Sequence, residues 1–162
     1  MEVADFSEYK AKQLVEDGKH LISIGDLDAA IETFKKSLQL QPTAEGFTYL
    51  GWILSLKGHT DEAIDLCKQA ILIDPEFGNP FNDIGNYLIQ KNELDNAIPW
   101  LEQAIKASRY EPRHFPHINL GRIYSAQGRV LEAIDEFKKA LEHAPEHPEI
   151  LKVIEQLEDL QN

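Results

Sequence analysis

Apolar side chains recur at helical spacing in four separate stretches of the chain. The first stretch contains Ala30, Ile31, Phe34 and Leu38, which follow an i, i+1, i+4, i+8 pattern. The same spacing recurs in three later stretches, which are Ala63-Ile64-Cys67-Ile71, Ala97-Ile98-Leu101-Ile105 and Ala133-Ile134-Phe137-Leu141. Residues at this spacing share one face of an α-helix. Each stretch therefore predicts a helix whose apolar face lies in the core.

Four columns of residues repeat in register along the chain. Gly18, Gly51, Gly85 and Gly121 are separated by 33, 34 and 36 residues. The same intervals separate three further columns, which are Ala30, Ala63, Ala97 and Ala133, then Phe34, Cys67, Leu101 and Phe137, then Ser37, Ala70, Ala104 and Ala140. In every unit the glycine precedes the first alanine by 12 residues, so the length changes fall between units. Because a change within a hairpin would rotate later side chains off the buried face, each unit is predicted to be one rigid pair of helices.

Glycine, asparagine and proline mark the ends of the predicted helices. The two helices of each unit must turn at Gly25, Gly58, Asn92 and Gly128. Asparagine can adopt the left-handed backbone conformation that glycine adopts in such turns. Four prolines follow the second helices and are expected to end them, namely Pro42, Pro75, Pro112 and Pro145. Pro99 is tolerable only if its helix begins near Asp95 and the missing donor is still unpaired.

A last amphipathic stretch lies beyond the fourth unit. After Pro148 the apolar residues again recur at helical spacing, and they are Ile150, Val153, Ile154, Leu157 and Leu160. No second helix is expected to pair with this one. Because a repeat array needs a solvated helix over its last exposed face, the segment is predicted to cap the fourth unit.

Charge and composition narrow the class of partner. The formal net charge is −12, from 16 Lys and Arg against 28 Asp and Glu. No basic stripe is present that would neutralise a phosphate backbone, so nucleic acid is not expected as a partner. No apolar stretch approaches the roughly 18–20 residues that cross a bilayer, and the N-terminal residues lack signal-peptide features. Since the single cysteine, Cys67, cannot form an internal disulfide, a cytoplasmic setting without direct membrane insertion is expected.

The repeated columns resemble the tetratricopeptide repeat (TPR) family, whose unit of about 34 residues carries Leu-Gly, Tyr, Gly, Ala, aromatic, Ala and Pro positions. The fourth unit matches this pattern at Leu120, Gly121, Tyr124, Gly128, Ala133, Phe137, Ala140 and Pro145. The second unit departs from it with Cys67 at the aromatic column, and the third departs with Asn92 and two extra residues around Tyr110. The resemblance extends over roughly residues 7–160.

This resemblance implies an all-α fold, a right-handed α-solenoid of antiparallel helix hairpins (a TPR superhelix) with about nine helices. A single domain over residues 1–162 is expected, with repeats at about 11–43, 44–77, 78–113 and 114–147 and a capping helix at about 148–160. The resemblance also implies a non-catalytic protein–protein interaction scaffold or adaptor, without a cofactor, that binds a protein or peptide segment in its concave groove.

Six residues on the groove positions of the family pattern are candidates for peptide binding. They are Tyr49, Trp52, Asn82, Asn86, Asn119 and Arg122. The three asparagines can each donate and accept hydrogen bonds, so they could hold the backbone of an extended peptide. The two aromatic residues offer apolar contact, and the arginine could pair with a carboxylate. The alternative interpretation is that these are solvated first-helix residues and that binding occurs on another face.

One ligand known for the family is disfavoured. TPR domains that grip the acidic C-terminus of heat-shock chaperones use Lys and Asn in one unit, Asn in the next, and Lys and Arg in the third. This chain lacks that set, whether the alignment begins at its first or its second unit. In both alignments Asp83 is among the residues that occupy those positions.

Two other classes of function remain as alternatives. Metal binding through loop histidines would use His114, His117, His143 and His147. Pro116 lies inside the first pair and Pro145 inside the second, so the ligands are not expected to converge and no metal site is predicted. Self-association through the ends of the array would make the chain structural, but an acidic last helix would repel a copy of itself, so a monomer is expected. Cys67, at a core column, is expected to be buried and unreactive.

Overall fold

The computed structural model describes the backbone of residues 3–161 and the side chains of residues 6–161. This range contains nine α-helices, so the predicted all-α repeat fold is confirmed. In chain order they are α1 (Val3–Ser23), α2 (Leu27–Leu40), α3 (Ala44–Leu56), α4 (Thr60–Ile73), α5 (Asn79–Gln90), α6 (Leu94–Lys106), α7 (His114–Ala126), α8 (Val130–His143) and α9 (Pro148–Asp159). The helices form two compact units, the first ending at Pro75 and the second beginning at Glu76.

The two helices of a hairpin approach closely because a glycine on one meets a large side chain on the other. A Cβ atom added at Gly18 would lie 2.6 Å from the ring of Phe34, and one added at Gly121 would lie 2.8 Å from the ring of Phe137. These distances are well below van der Waals contact, so the close approach requires glycine at both positions. The small residues of the second helices are fully buried in the same seams, namely Ala30, Ala63, Ala97 and Ala133.

The turn inside each hairpin contains a residue with positive φ. Three of these residues are glycines, with φ of 81° at Gly25, 87° at Gly58 and 73° at Gly128. Asn92 takes their place in the third hairpin with φ of 60°, which confirms the sequence-based expectation. Asparagine tolerates this conformation better than most side chains, so the hairpin keeps the same turn without glycine.

The helix that contains Pro99 differs from the expectation. α6 begins at Leu94, and the amide of Ala97 bonds to the carbonyl of Glu93 at 3.1 Å. Pro99 is therefore the sixth residue and lies inside the helix. The expectation that its missing donor falls among the unpaired first-turn amides is wrong, because those amides end before Ala97. A proline at this place cannot donate to the carbonyl of Asp95.

The first unit contains α1 to α4 around one apolar core. Phe34 of α2 is fully buried, and its ring stacks on that of Tyr49 in α3 with centroids 5.5 Å apart. The buried hydroxyl of Ser37 donates to the carbonyl of Ala11 at 2.8 Å, which joins α2 to α1. Cys67 of α4 is buried, as its column predicts. The core residues that pack around Phe34 are Val15, Ala30, Ile31, Leu50 and Ile53.

The second unit contains α5 to α9 and has a core at its C-terminal end. α9 contributes Ile150 and Ile154, both nearly fully buried. They pack with residues of α8, namely Ala133, Ile134, Phe137 and Ala140. On the outer side Lys138 of α8 pairs with Glu158 of α9 at 3.0 Å. The last helix therefore covers an apolar face of α8 and presents charged groups outward.

Candidate functional site

A groove with a volume of about 940 Å³ lies within the second unit. Its walls come from α5 and α7, from the connection between α6 and α7, and from α8 and α9. Polar side chains line the α5 wall, whereas Phe115, Ile118 and Val153 add apolar surface elsewhere. A groove of this size and mixed lining can hold several residues of an extended peptide.

Four of the six candidate residues line this groove. Asn82 and Asn86 project into it from α5, and Asn119 and Arg122 project into it from α7. Residues three or four positions apart share one face of a helix, which explains why each pair reaches the same cavity. The structure thus brings these four side chains together as the family pattern implied.

The other two candidates, Tyr49 and Trp52, lie on α3 of the first unit. Tyr49 stacks on the core residue Phe34, and the Lys19 ammonium lies 5.4 Å from the centroid of its ring. Trp52 is 37% exposed and offers a free aromatic surface. Tyr49 is therefore partly engaged by its own unit, while Trp52 remains available for contact.

Two of the groove asparagines bind each other. The side-chain amide of Asn119 donates to the side-chain oxygen of Asn82 at 3.0 Å, and both residues are buried. This bond joins α7 to α5 and uses one donor and one acceptor of the pair. Asn86, which is half-buried on the same face of α5, is the more available amide for a ligand.

Asp83 is the groove residue whose importance the sequence did not reveal. It lines the cavity from α5 between two buried neighbours, Asn82 and Ile84. Burial raises the pKa of Asp83 to about 7, and a hydrogen bond from the Asn82 side chain only partly opposes this rise. Its groove position could be read from the repeat pattern, but its desolvation depends on contacts that the pattern does not encode.

The longer connection between α6 and α7 forms another part of the wall. Its backbone is held against the segment before α5, because Gly78 donates to Arg109 at 2.8 Å and Arg109 donates to Glu76 at 3.0 Å. Tyr110 is thereby buried beside Gly78, where an added Cβ would lie only 2.5 Å from the Tyr110 Cβ. Burial, followed by the charges of Asp83 and Glu111, raises the pKa of Tyr110.

Three further polar groups of the groove have unused bonding capacity. Arg122 is exposed and forms no ion pair or side-chain hydrogen bond with residues 6–161. The Ser125 hydroxyl and the His147 Nδ1 atom are buried and have no hydrogen-bond partner in the same part of the chain. Buried groups of this kind favour a ligand that supplies the missing bonds.

The four histidines lie near one another as two pairs. The ring centroids of His114 and His147 are 5.8 Å apart, and those of His117 and His143 are 5.9 Å apart. Burial, followed by the charges of His147 and His143, lowers the pKa of His114. Over the described side chains, no group of three or more His, Cys, Asp or Glu residues could hold a metal ion.

His117 lies in a helix, whereas the sequence analysis treated it as a loop residue. It lies in the first turn of α7, is buried, and its Nδ1 atom is 2.8 Å from Glu136 Oε2 on α8. Burial opposes ionisation of Glu136, but hydrogen bonds with His117 and Lys139 outweigh it and lower the pKa of that carboxyl. The assignment of His114 and His117 to a loop is wrong, because Pro116 is compatible with a helical first turn.

Family models match most of the chain. Models described as tetratricopeptide repeat match residues 16–77, 80–110 and 114–147. In the described residues no helix has both the length and the apolar character that a membrane span requires.

Individual proteins are similar to this chain in sequence or in fold. Small glutamine-rich tetratricopeptide repeat-containing protein 2 of Mycosarcoma maydis is 33% identical over 98 residues, which are 60% of this chain and 28% of that protein. The chain spans about a quarter of the length of the curated relatives it matches. The structure of pilF from Pseudomonas aeruginosa has a TM-score of 0.86 at 18% identity, over 96% of this chain and 69% of that one.

A further fold relative is YrrB, described as a TPR protein with an unusual peptide-binding site. Its structure has a TM-score of 0.69 at 21% identity and covers 99% of this chain and 84% of its own. At this identity the likeness concerns the fold. The family models, which match most of the chain, show that this chain belongs to the tetratricopeptide repeat family.

Proposed function

We propose that this chain is a non-catalytic adaptor that binds an extended peptide segment of a partner protein in the groove of its second unit. The observation that carries the proposal is the cavity of about 940 Å³ lined by Asn82, Asn86, Asn119 and Arg122. The peptide-binding site of YrrB, a protein of the same fold, adds support. An adaptor of this kind needs no cofactor, since it binds a peptide and catalyses no reaction.

The groove side chains suit the two kinds of contact that an extended peptide offers. Asn86 can donate to and accept from the peptide backbone, and the Arg122 guanidinium can bind an acidic side chain or a terminal carboxylate. Phe115, which is 44% exposed, and Ile118 offer apolar contact beside them. This mixture of anchors and backbone contacts is typical of peptide grooves.

Tyr49 and Trp52 are proposed as a separate contact surface on the first unit. Trp52 is exposed and aromatic, and aromatic residues supply much of the energy of protein interfaces. The stacking of Tyr49 on Phe34 holds that ring in place, which lowers the entropy cost of using it in binding.

The adaptor is proposed to act as a cytoplasmic monomer. Its single cysteine, Cys67, is buried and cannot form an internal disulfide, so the fold does not depend on an oxidising compartment. Glu149, Glu155 and Asp159 on α9 are exposed and would repel the same helix of a second copy. Light scattering coupled to size-exclusion chromatography measures the mass directly, and a concentration-dependent dimer would contradict this part of the proposal.

Peptide binding can be tested without knowing the partner. A random 12-residue phage-display library, panned on the full chain, would supply peptides whose affinity is then measured by fluorescence polarisation. We expect Asn86→Ala/Arg122→Ala to weaken the selected peptides at least about tenfold, since it removes a backbone contact and a charged anchor. Leu131→Ala is the matched control, because Leu131 is 70% exposed on α8 and does not line the groove.

Two outcomes would contradict the proposal. The first is a library that yields no peptide with measurable affinity. The second is an equal affinity of selected peptides for the wild type and for Asn86→Ala/Arg122→Ala. The variant Tyr49→Ala/Trp52→Ala, measured on the same peptides, reports separately on the proposed surface of the first unit.

A further inference from the structure

Asp83 is a carboxylate in the wall of the groove that has no cation beside it. Residues 6–161 provide no ion pair for it, although it is half-buried and flanked by buried residues. Removing a carboxylate from water without a cation to pair with it is costly, and the cost appears as the raised pKa of Asp83. A fold that gained nothing from this charge would be more stable with a neutral side chain.

The arginine that lines the groove does not neutralise the Asp83 carboxylate. Arg122 lines the same cavity from α7, yet it pairs neither with Asp83 nor with any other described carboxylate. The groove thus presents an acidic and a basic group that are both unpaired. Such an arrangement leaves both groups available to charges that enter from outside.

Neighbouring side chains hold the Asp83 carboxylate in place. The Asn82 oxygen accepts a hydrogen bond from Asn119 at 3.0 Å, which fixes the orientation of the Asn82 amide. That amide in turn bonds to Asp83. Tyr110 is close enough for the Asp83 charge to raise its pKa further, after burial. An acceptor oriented in this way binds a cation with little loss of conformational entropy.

We propose that Asp83 binds a lysine or arginine side chain of the peptide that occupies the groove. This inference rests on the proposed peptide-binding function and adds the chemical class of one peptide residue. The ammonium or guanidinium group would form a charge-assisted hydrogen bond with the carboxylate and replace the water that burial removed. The net charge of −12 favours the approach of basic segments over acidic ones.

Panning the same phage library on three proteins tests the proposal. The proteins are the wild type, Asp83→Asn, and the control Asp65→Asn, which makes the same charge change at an exposed position of α4. We expect sequencing to show Lys or Arg enriched at one peptide position for the wild type and for Asp65→Asn. The enrichment should be absent for Asp83→Asn, whose amide is nearly isosteric but uncharged.

A binding cycle with one synthetic peptide gives the second readout. The best wild-type peptide, acetylated and amidated so that its termini are neutral, is compared with a version carrying norleucine at the enriched position. We expect this change to weaken binding to the wild type at least about tenfold and binding to Asp83→Asn by less than about twofold. The comparison on the wild type alone needs no protein variant, so a folding defect in Asp83→Asn could not hide the result.

The outcomes separate this inference from the proposed function. If the wild type retains peptides without an enriched basic position, or if Asp83→Asn keeps the enrichment, the inference is overturned while peptide binding stands. If binding depends on a free peptide N-terminus instead of the basic side chain, the inference is also overturned. If the wild type retains no peptide, both the inference and the proposed function fail.

Discussion

At the scale of single residues, Asp83 shows how a side chain suited to binding can weaken the fold. Its pKa rises from the ordinary value of 3.8 to about 7, so the folded protein binds its proton more tightly than the unfolded chain does. Between about pH 4 and pH 7 the stability contributed by this group therefore falls as the pH rises. Above that range the carboxyl is ionised in both states, and the buried charge lowers the free energy of unfolding by its full amount.

Asp83→Asn is expected to stabilise the protein at high pH. At pH 8 the free energy of unfolding should exceed that of the wild type by roughly 1–3 kcal/mol, a range reduced from the full shift because the side chain is partly exposed. Below about pH 3 the two proteins should have equal stability, since the wild-type carboxyl is then neutral in both states. Urea unfolding across this range measures the difference, with Asp65→Asn as the control. If the difference in free energy of unfolding did not change with pH, the buried charge of Asp83 would not be its cause.

At the scale of helices, the features that could be predicted from the sequence are those that recur at the same spacing in every unit. The meeting of Gly18 with Phe34, and of Gly121 with Phe137, follows from columns that keep the same spacing in every unit. The turn at Asn92 could be predicted in the same way, because the left-handed conformation is a property of one residue.

The unpredicted parts depend on contacts between residues far apart in the chain. Tyr110 enters the groove wall because Arg109 pairs with the backbone of Glu76 and Gly78, more than thirty residues earlier. The bond between His117 and Glu136 of the next helix is likewise a contact that the repeat pattern does not encode. The family pattern assigned all six candidate residues to groove positions, and four of them line the groove of the second unit. The pattern does not report desolvation, which is why Asp83 was not among the candidates.

Pro99 offers a test at the level of one helix. It is exposed inside α6, so replacing it with alanine should restore a backbone donor to Asp95 without loss of packing. We expect Pro99→Ala to raise the free energy of unfolding by about 1–2 kcal/mol, because the greater entropy of the unfolded chain offsets part of the gain. Glu102→Ala, at another exposed position of α6, should change it by less than about 0.5 kcal/mol. If denaturant unfolding showed Pro99→Ala to be less stable than the wild type, the conclusion that Pro99 removes a backbone hydrogen bond from α6 would be wrong.

At the scale of the whole molecule, the charge of the chain acts on every ligand before contact. Acidic residues outnumber basic ones by 28 to 16, so a basic peptide is attracted from a distance while nucleic acid is repelled. This long-range attraction acts on the rate of association, whereas close contacts such as that proposed for Asp83 act mainly on the rate of dissociation. The two contributions can therefore be separated by kinetics.

Salt should slow the binding of a basic peptide to the chain. Raising sodium chloride from about 0.05 M to about 0.5 M shortens the Debye length to about a third, so the association rate of the selected peptide should fall several-fold. The norleucine version of the same peptide has one positive charge fewer and should be affected less. Dissociation rates should change little for both, because the bound groups are partly shielded from solvent. Stopped-flow fluorescence measures each rate, and an association rate that is insensitive to salt would show that the net charge of the chain does not steer its ligand.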